Sequence, residues 1–154
     1  MAPPASDPRP AGPALTASQV SAALRSEGLR ATVPRLHVYR VLAASGGHRS
    51  ADDLAGLLAA DRGVVQRTSV YNALRALVDA GLVQVVQAGP GTTLYELHGS
   101  DHHHFLCRNC GTITDVPVGS EVPSLLTMNI PGARVDSAQV VLRGLCADCL
   151  DPLD

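Results

Sequence analysis

Residues 67–98 read RTSVYNALRALVDAGLVQVVQAGPGTTLYELH, and the period of their apolar positions changes halfway along. Val70, Leu74, Leu77 and Val78 recur at helical spacing, which predicts a helix over 67–80 with one apolar stripe, stopped at Gly81. From Leu82 onward the apolar residues fall into two short β-rich runs around AGPG, which predicts a hairpin with Gly89, Pro90 and Gly91 at its tip. Three helical patterns precede this stretch. TASQVSAALRSEG (16–28) offers Thr16 or Ser18 as N-cap, apolar Val20, Ala23 and Leu24, and a stop at Gly28. TVPRLHVYRVLAASGG (32–47) has Thr32 as cap, Pro34 in the first turn, where a missing amide hydrogen costs little, and Gly46-Gly47 as its close. SADDLAGLLAA (50–60) has Ser50 as cap, Asp52 and Asp53 in the positive first turn, and Leu54, Leu57 and Leu58 expected on one face.

Several short helices followed by a hairpin predict a winged helix-turn-helix, in which the helix before the hairpin enters the major groove of DNA. The first turn of that helix carries Arg67, Thr68, Ser69, Tyr71 and Asn72, donors and an aromatic suited to phosphates and base edges. Arg35, early in the second helix, is a further candidate for a phosphate contact. Each residue taken singly has an ordinary reading: Thr68 or Ser69 a helix cap, Tyr71 the rim of a core, Arg35 a solvated charge. Their concentration at the start of one helix points to nucleic acid. The charge distribution agrees, since residues 16–88 hold eight Arg against five acids, roughly +3, and residues 89–154 hold three Arg against eight acids, roughly −5.

A chain of 154 residues that is 45% hydrophobic suits one domain or two small ones. The expected organisation is a Pro-rich disordered tail at 1–15, a winged-helix domain at 16–88 and a second small domain at 89–154. No run of about 18 apolar residues occurs and the N-terminus has no signal-peptide pattern, so no membrane association is expected and the location expected is the cytoplasm.

All four cysteines lie in two Cys-x-x-Cys pairs, Cys107/Cys110 in CRNCG and Cys146/Cys149 in CADC. Two-residue spacing lets both thiolates of a pair face one ion, and two such knuckles complete a tetrahedral sulfur shell, the ligand set of structural Zn2+. Disulfides are disfavoured in a cytoplasmic chain, and a redox dithiol needs no duplicate. Just upstream stands HHH at 102–104. If that triplet is extended, His102 and His104 share one face and His103 points away, which is the geometry for two ligands from one strand. Imidazole with carboxylate suits Zn, Fe, Mn, Co or Ni.

The succession LRATVPRLHVYRVL, GHRSADDL, RTSVYNALRALVDAGLV, YELHGSDHHHFLCRNCG and GLCADC resembles the ferric uptake regulator family of bacterial metal-dependent repressors, over about residues 18–149. The resemblance implies an α+β fold: a winged helix-turn-helix followed by a small α/β dimerisation domain with a four-cysteine zinc site at Cys107, Cys110, Cys146 and Cys149. It implies a homodimer on a double-stranded DNA operator. It also implies a regulatory metal held by His48, Glu96, His102, His104 and Asp115, with ligands from both domains, so that metal selects the DNA-binding arrangement.

Two departures bear on the signal. Zinc sensors of the family usually place a cysteine near the position of Glu96, and none is present. Asp115 resembles the peroxide-sensing branch, in which bound Fe2+ oxidises a histidine ligand, whereas Glu96 points away from it. Fe2+ is the regulatory ion expected, with Zn2+ or Mn2+ as alternatives and a zinc-uptake regulator as the alternative function. A further family site is poorly supported: no histidine follows residue 104, and Asp101 and His103 are expected to be solvated. His37 and His98 are expected to be structural or exposed. A metallohydrolase needs an open coordination position and a base in a pocket, and a zinc-storage or interaction module leaves the winged helix idle, so an enzyme is not expected.

Overall fold

The protein is seen here as a computed structural model that describes residues 14–62, 66–89, 91–99, 102–118, 130–134 and 139–150. Most of the expected tail, Pro90 of the hairpin tip and Asp101 lie outside the described residues. The chain divides into two compact units, one reaching Gly99 and the other lying beyond it.

The first unit contains four helices, α1 Ala17–Ser26, α2 Val33–Ser45, α3 Ala51–Arg62 and α4 Arg67–Asp79, followed by strands β1 Val83–Gly89 and β2 Thr92–Leu97. Thr16 is the α1 N-cap and forms a capping box with Gln19, so two orphan first-turn donors are satisfied reciprocally. Ser50 and Asp53 do the same for α3: Asp53 N–H donates to Ser50 Oγ at 3.1 Å and Ser50 N–H donates to Asp53 Oδ2 at 3.0 Å. Helices α1 and α4 give way to Gly28 and Gly81, both at positive φ, a conformation only glycine adopts without strain.

The core forms where the helical stripes meet: Val20 and Leu24, Val38 and Leu42, Leu54 and Leu58, and Val70, Leu74 and Leu77 are all buried, joined by Val83 of the hairpin. Burying each such side chain contributes about 1.5–3 kcal/mol. On α3 the expected face is corrected. Ala51, Leu54, Ala55 and Leu58, spaced i, i+3, i+4 and i+7, form the buried stripe, while Leu57 falls off it and is 43% exposed.

The hairpin is antiparallel, with Val83↔Leu97, Gln84↔Glu96 and Val85↔Tyr95 in register and a shift between Gln87 and Gly89. The boundary expected between 88 and 89 therefore falls inside this sheet. Since β2 is bonded along its length to β1, the compact unit continues to Gly99. A third segment joins the hairpin: Arg49 and Tyr95 exchange both backbone hydrogen bonds, at 2.9 and 2.8 Å, as an antiparallel bridge.

Among the described residues, the second unit contains a three-stranded sheet in the order β4-β3-β5, with β3 His102–Cys107, β4 Ile113–Pro117 and β5 Val141–Gly144. β3 runs antiparallel to β4 and parallel to β5. Helices followed by a small mixed sheet make the α+β architecture expected. Among the described residues, no helix is long and apolar enough to cross a membrane.

Candidate metal centres and the exposed face of helix α4

The sheet of the second unit brings the two cysteine knuckles together. β3 ends at Cys107, opposite Gly144 at the end of β5, and the chain then turns within a few residues on each strand. The first knuckle is closed by Gly111 N–H donating to the Cys107 carbonyl at 3.0 Å, with Gly111 at φ 76°. The second lies on a 3-10 turn, Ala147–Cys149.

All four thiols are free, and their sulfurs lie within 4.8 Å of one another, with Cys110 Sγ 3.6 Å from Cys146 Sγ. Four sulfurs about 2.3 Å from one zinc ion stand roughly 3.8 Å apart at tetrahedral angles, so the donor set fits the ion. The knuckles differ in acidity. Backbone N–H groups of Cys110 and Cys146, the latter 3.3 Å from the sulfur, lower the Cys107 thiol to about 6. The Thr112 hydroxyl, 3.2 Å from Cys110 Sγ, lowers that thiol too. Burial followed by the neighbouring thiols pushes Cys146 up to about 12. Thiols bind metal as thiolates, so metal binding releases whatever protons the four carry.

Higher on the same strand, the histidine triplet is extended, as the alternation required. His102 and His104 share one face, their rings 4.7 Å apart and edge to face. His104 pairs with Asp115 across β3 and β4, and His102 Nε2 is 3.5 Å from Asp115 Oδ1. One donor atom from each of the three lies within 4.8 Å of the others, and His104 is fully buried. The second unit therefore carries a group of two imidazoles and one carboxylate, separate from the sulfurs in donor type. The expectation that His103 is solvated is not met: both its ring nitrogens are buried, and among the described residues they have no hydrogen-bond partner.

The first unit carries the other two residues of the expected regulatory set. His48 precedes the Arg49–Tyr95 bridge and so faces Glu96 across it. His48 Nε2 is 3.2 Å from Glu96 Oε2, and both side chains are fully buried. Sequence reasoning did not name Gln84, whose amide Nε2 donates to Glu96 Oε1 at 2.6 Å. His98 is exposed and His37 half-buried.

Helix α4 buries Val70, Ala73, Leu74 and Leu77 and turns Arg67, Thr68, Tyr71 and Asn72 outward, with Ser69 between. Its N-cap is Gln66, so Thr68 and Ser69 lie inside the first turn and are not caps. Tyr71 is 47% exposed, more than the rim of a core requires. Arg67 is paired with Asp52 of α3, which with the Tyr71 hydroxyl holds its guanidinium above its usual basicity, and Tyr71 Oη donates to the same Asp52 oxygen at 3.4 Å. Asp52 was expected only as a first-turn acid. Arg35 Nη1 donates to the Arg30 carbonyl at 3.1 Å, so it ties the α1–α2 connection.

Residues 26–121 match the model of the ferric uptake regulator family. The chain is 38% identical over 128 residues to the transcriptional regulator FurA of Mycobacterium tuberculosis, covering 82% of this chain and 86% of that one. It is 30% identical over 127 residues to the peroxide operon regulator of Bacillus subtilis, covering 82% and 88%. The solved ferric uptake regulator of Pseudomonas aeruginosa with manganese superposes with a TM-score of 0.66 at 25% identity, covering 83% of this chain and 98% of that one. Such proteins are regulators of transcription and not enzymes. This protein belongs to the ferric uptake regulator family of metal-responsive transcription regulators.

Proposed function

We propose that this chain is a metal-dependent repressor of metal-homeostasis or peroxide-stress genes, acting as a homodimer on a double-stranded DNA operator. In this reading Cys107, Cys110, Cys146 and Cys149 hold a structural zinc, and His48, Glu96, His102, His104 and Asp115 hold the regulatory ion. The observation that carries the reading is the division of donors. Each unit has an incomplete set of nitrogen and oxygen ligands, one imidazole with one carboxylate in the first and two imidazoles with one carboxylate in the second. A five- or six-coordinate ion needs more donors than either set supplies, so an ion that recruits both fixes the units in one orientation. The regulatory ion proposed is Fe2+, since every donor is nitrogen or oxygen and every thiolate belongs to the sulfur shell. Zn2+ and Mn2+ are the alternatives.

A gel-shift assay on a duplex from the promoter region of the protein's own gene tests this. Retention with Fe2+ or Mn2+ under anaerobic conditions, lost on chelation, is the expected result. No retention with any divalent ion overturns the reading.

The DNA contacts make a second test. Arg67, Thr68, Ser69, Tyr71 and Asn72 are proposed to meet the major groove, with Arg35 at a phosphate. The Arg67–Asp52 pair is solvated, with side chains 65% and 61% exposed, and a pair of that kind contributes little to stability, so Arg67 exchanges Asp52 for DNA at small cost. Tyr71→Ala and Arg67→Ala should each weaken operator binding by about 10- to 100-fold, the loss of one base-edge contact of roughly 1–3 kcal/mol. A residue that touches phosphate instead should lower the salt slope by about one. Metal affinity of the free protein should not change. Wild-type DNA affinity in both variants would move the recognition surface off α4.

A further inference from the structure

Three side chains of the first unit lie in one row. Gln84 and Glu96 are directly paired across β1 and β2, and the Arg49–Tyr95 bridge sets His48 against Glu96 from the other side. Residues opposite one another in adjacent strands project from the same face, so Glu96 stands between the other two. Its carboxylate is fully buried, and its oxygens have different neighbours: Oε1 accepts the Gln84 amide at 2.6 Å, and Oε2 is 3.2 Å from His48 Nε2.

A carboxylate ligates a cation through one oxygen or through both. Two-oxygen ligation requires both oxygens to turn onto the ion. At Glu96 a short amide hydrogen bond holds Oε1 towards Gln84. We propose that Gln84 is a positioning residue of the regulatory site, which restricts Glu96 to ligation of a divalent cation through Oε2 alone. The proposal rests on the reading of Glu96 and His48 as ligands given above.

The coordination chemistry follows. With Glu96 giving one oxygen, one atom from each of five side chains makes five coordination and leaves a sixth position open. With Glu96 giving two, the same side chains complete six and close that position. Partners that orient a metal's own ligands commonly change affinity by 10- to 100-fold when lost.

The test uses the full chain with zinc in its cysteine site, titrated with Mn2+ for affinity and with Co2+, whose visible absorption weakens as five coordination becomes six. Gln84→Met keeps the length of the side chain without its donors, and Gln84→Thr, suited to a strand, removes the amide should the methionine variant not fold. The expected result is a 10- to 100-fold change in Mn2+ affinity together with a weaker Co2+ spectrum. A wild-type affinity and spectrum overturn the proposal. So does a changed affinity with an unchanged spectrum, which would leave Gln84 as only a hydrogen-bond partner for a buried acid. Glu96→Ala separates the two levels: if it leaves Mn2+ affinity untouched, the ligand reading fails and this proposal with it, whereas if it weakens binding while Gln84→Met does not, the proposal fails alone.

Discussion

Replacing Cys146 by Ser should cost the protein its folded second unit. Among the described residues of that unit, the buried apolar side chains besides the thiol Cys107 are Leu106 and Ile113. At about 1.5–3 kcal/mol apiece these two do not offset the entropy of ordering the described strands, roughly 1–2 kcal/mol per residue. The proposed structural zinc would supply folding free energy directly, because the site does not exist in the unfolded chain and the binding free energy of such an ion, about 10–16 kcal/mol in zinc-finger peptides, is folding free energy. Cys146 is also the residue whose backbone N–H supports the Cys107 sulfur, and serine in its place leaves three sulfurs around the ion. Zinc content should fall, and the second unit should become open to proteolysis, with dimerisation lost. His102→Ala gives the contrast: the ring is 11% exposed, at the start of β3 and distant along the strand from the sulfurs, so that variant should keep its zinc and its fold while losing metal-dependent DNA binding. If His102→Ala unfolds the chain as badly as Cys146→Ser, the two sites do not divide structural and regulatory work as proposed.

How far each site could be read from the chain alone depends on the distance over which its residues must be brought together. The cysteines declared themselves, since two-residue spacing is a local constraint and both pairs were complete. His102 and His104 needed only the alternation of a strand. Helix α4 and the hairpin followed from a change of period within one stretch. His48, Glu96 and Asp115 have no local signature and came by resemblance alone. Gln84 lay beyond both routes. Its place beside Glu96 depends on the register of β1 against β2, which a shift between Gln87 and Gly89 resets, and a slip of one residue would turn its side chain to the opposite face. The expected boundary at 88/89 cuts through the hairpin that the change of period itself predicts, and the ladder between β1 and β2 keeps both strands in the helical unit.

Peroxide should abolish DNA binding of the iron-loaded protein by oxidising its own ligands. The proposed ligands His48, Glu96, His102, His104 and Asp115 contain no sulfur, and the four thiols are gathered in a separate cluster, so an ion held by the first group would be bound by imidazole and carboxylate alone. Fe2+ held by His48, His102 and His104 would supply the chemistry that activates peroxide beside those rings. One oxygen would replace a ring C–H bond with C–OH while the other left in water, and an imidazole so altered would be lost as a ligand from the proposed site. Because every basic residue of the chain is Arg, cleavage after arginine isolates the candidates on two peptides, 41–49 with His48 and 76–108 with His102 to His104. His98 falls on the second peptide, and its exposed position outside the proposed ligand set makes it an internal control. Mass spectrometry after peroxide should find one added oxygen on a ligand histidine, with His98 unmodified, and loss of the gel shift in proportion. Manganese-loaded protein should resist under the same conditions. DNA binding restored by iron with no added oxygen would mark a plain iron sensor, and DNA binding restored at far lower free zinc than iron would overturn the choice of metal.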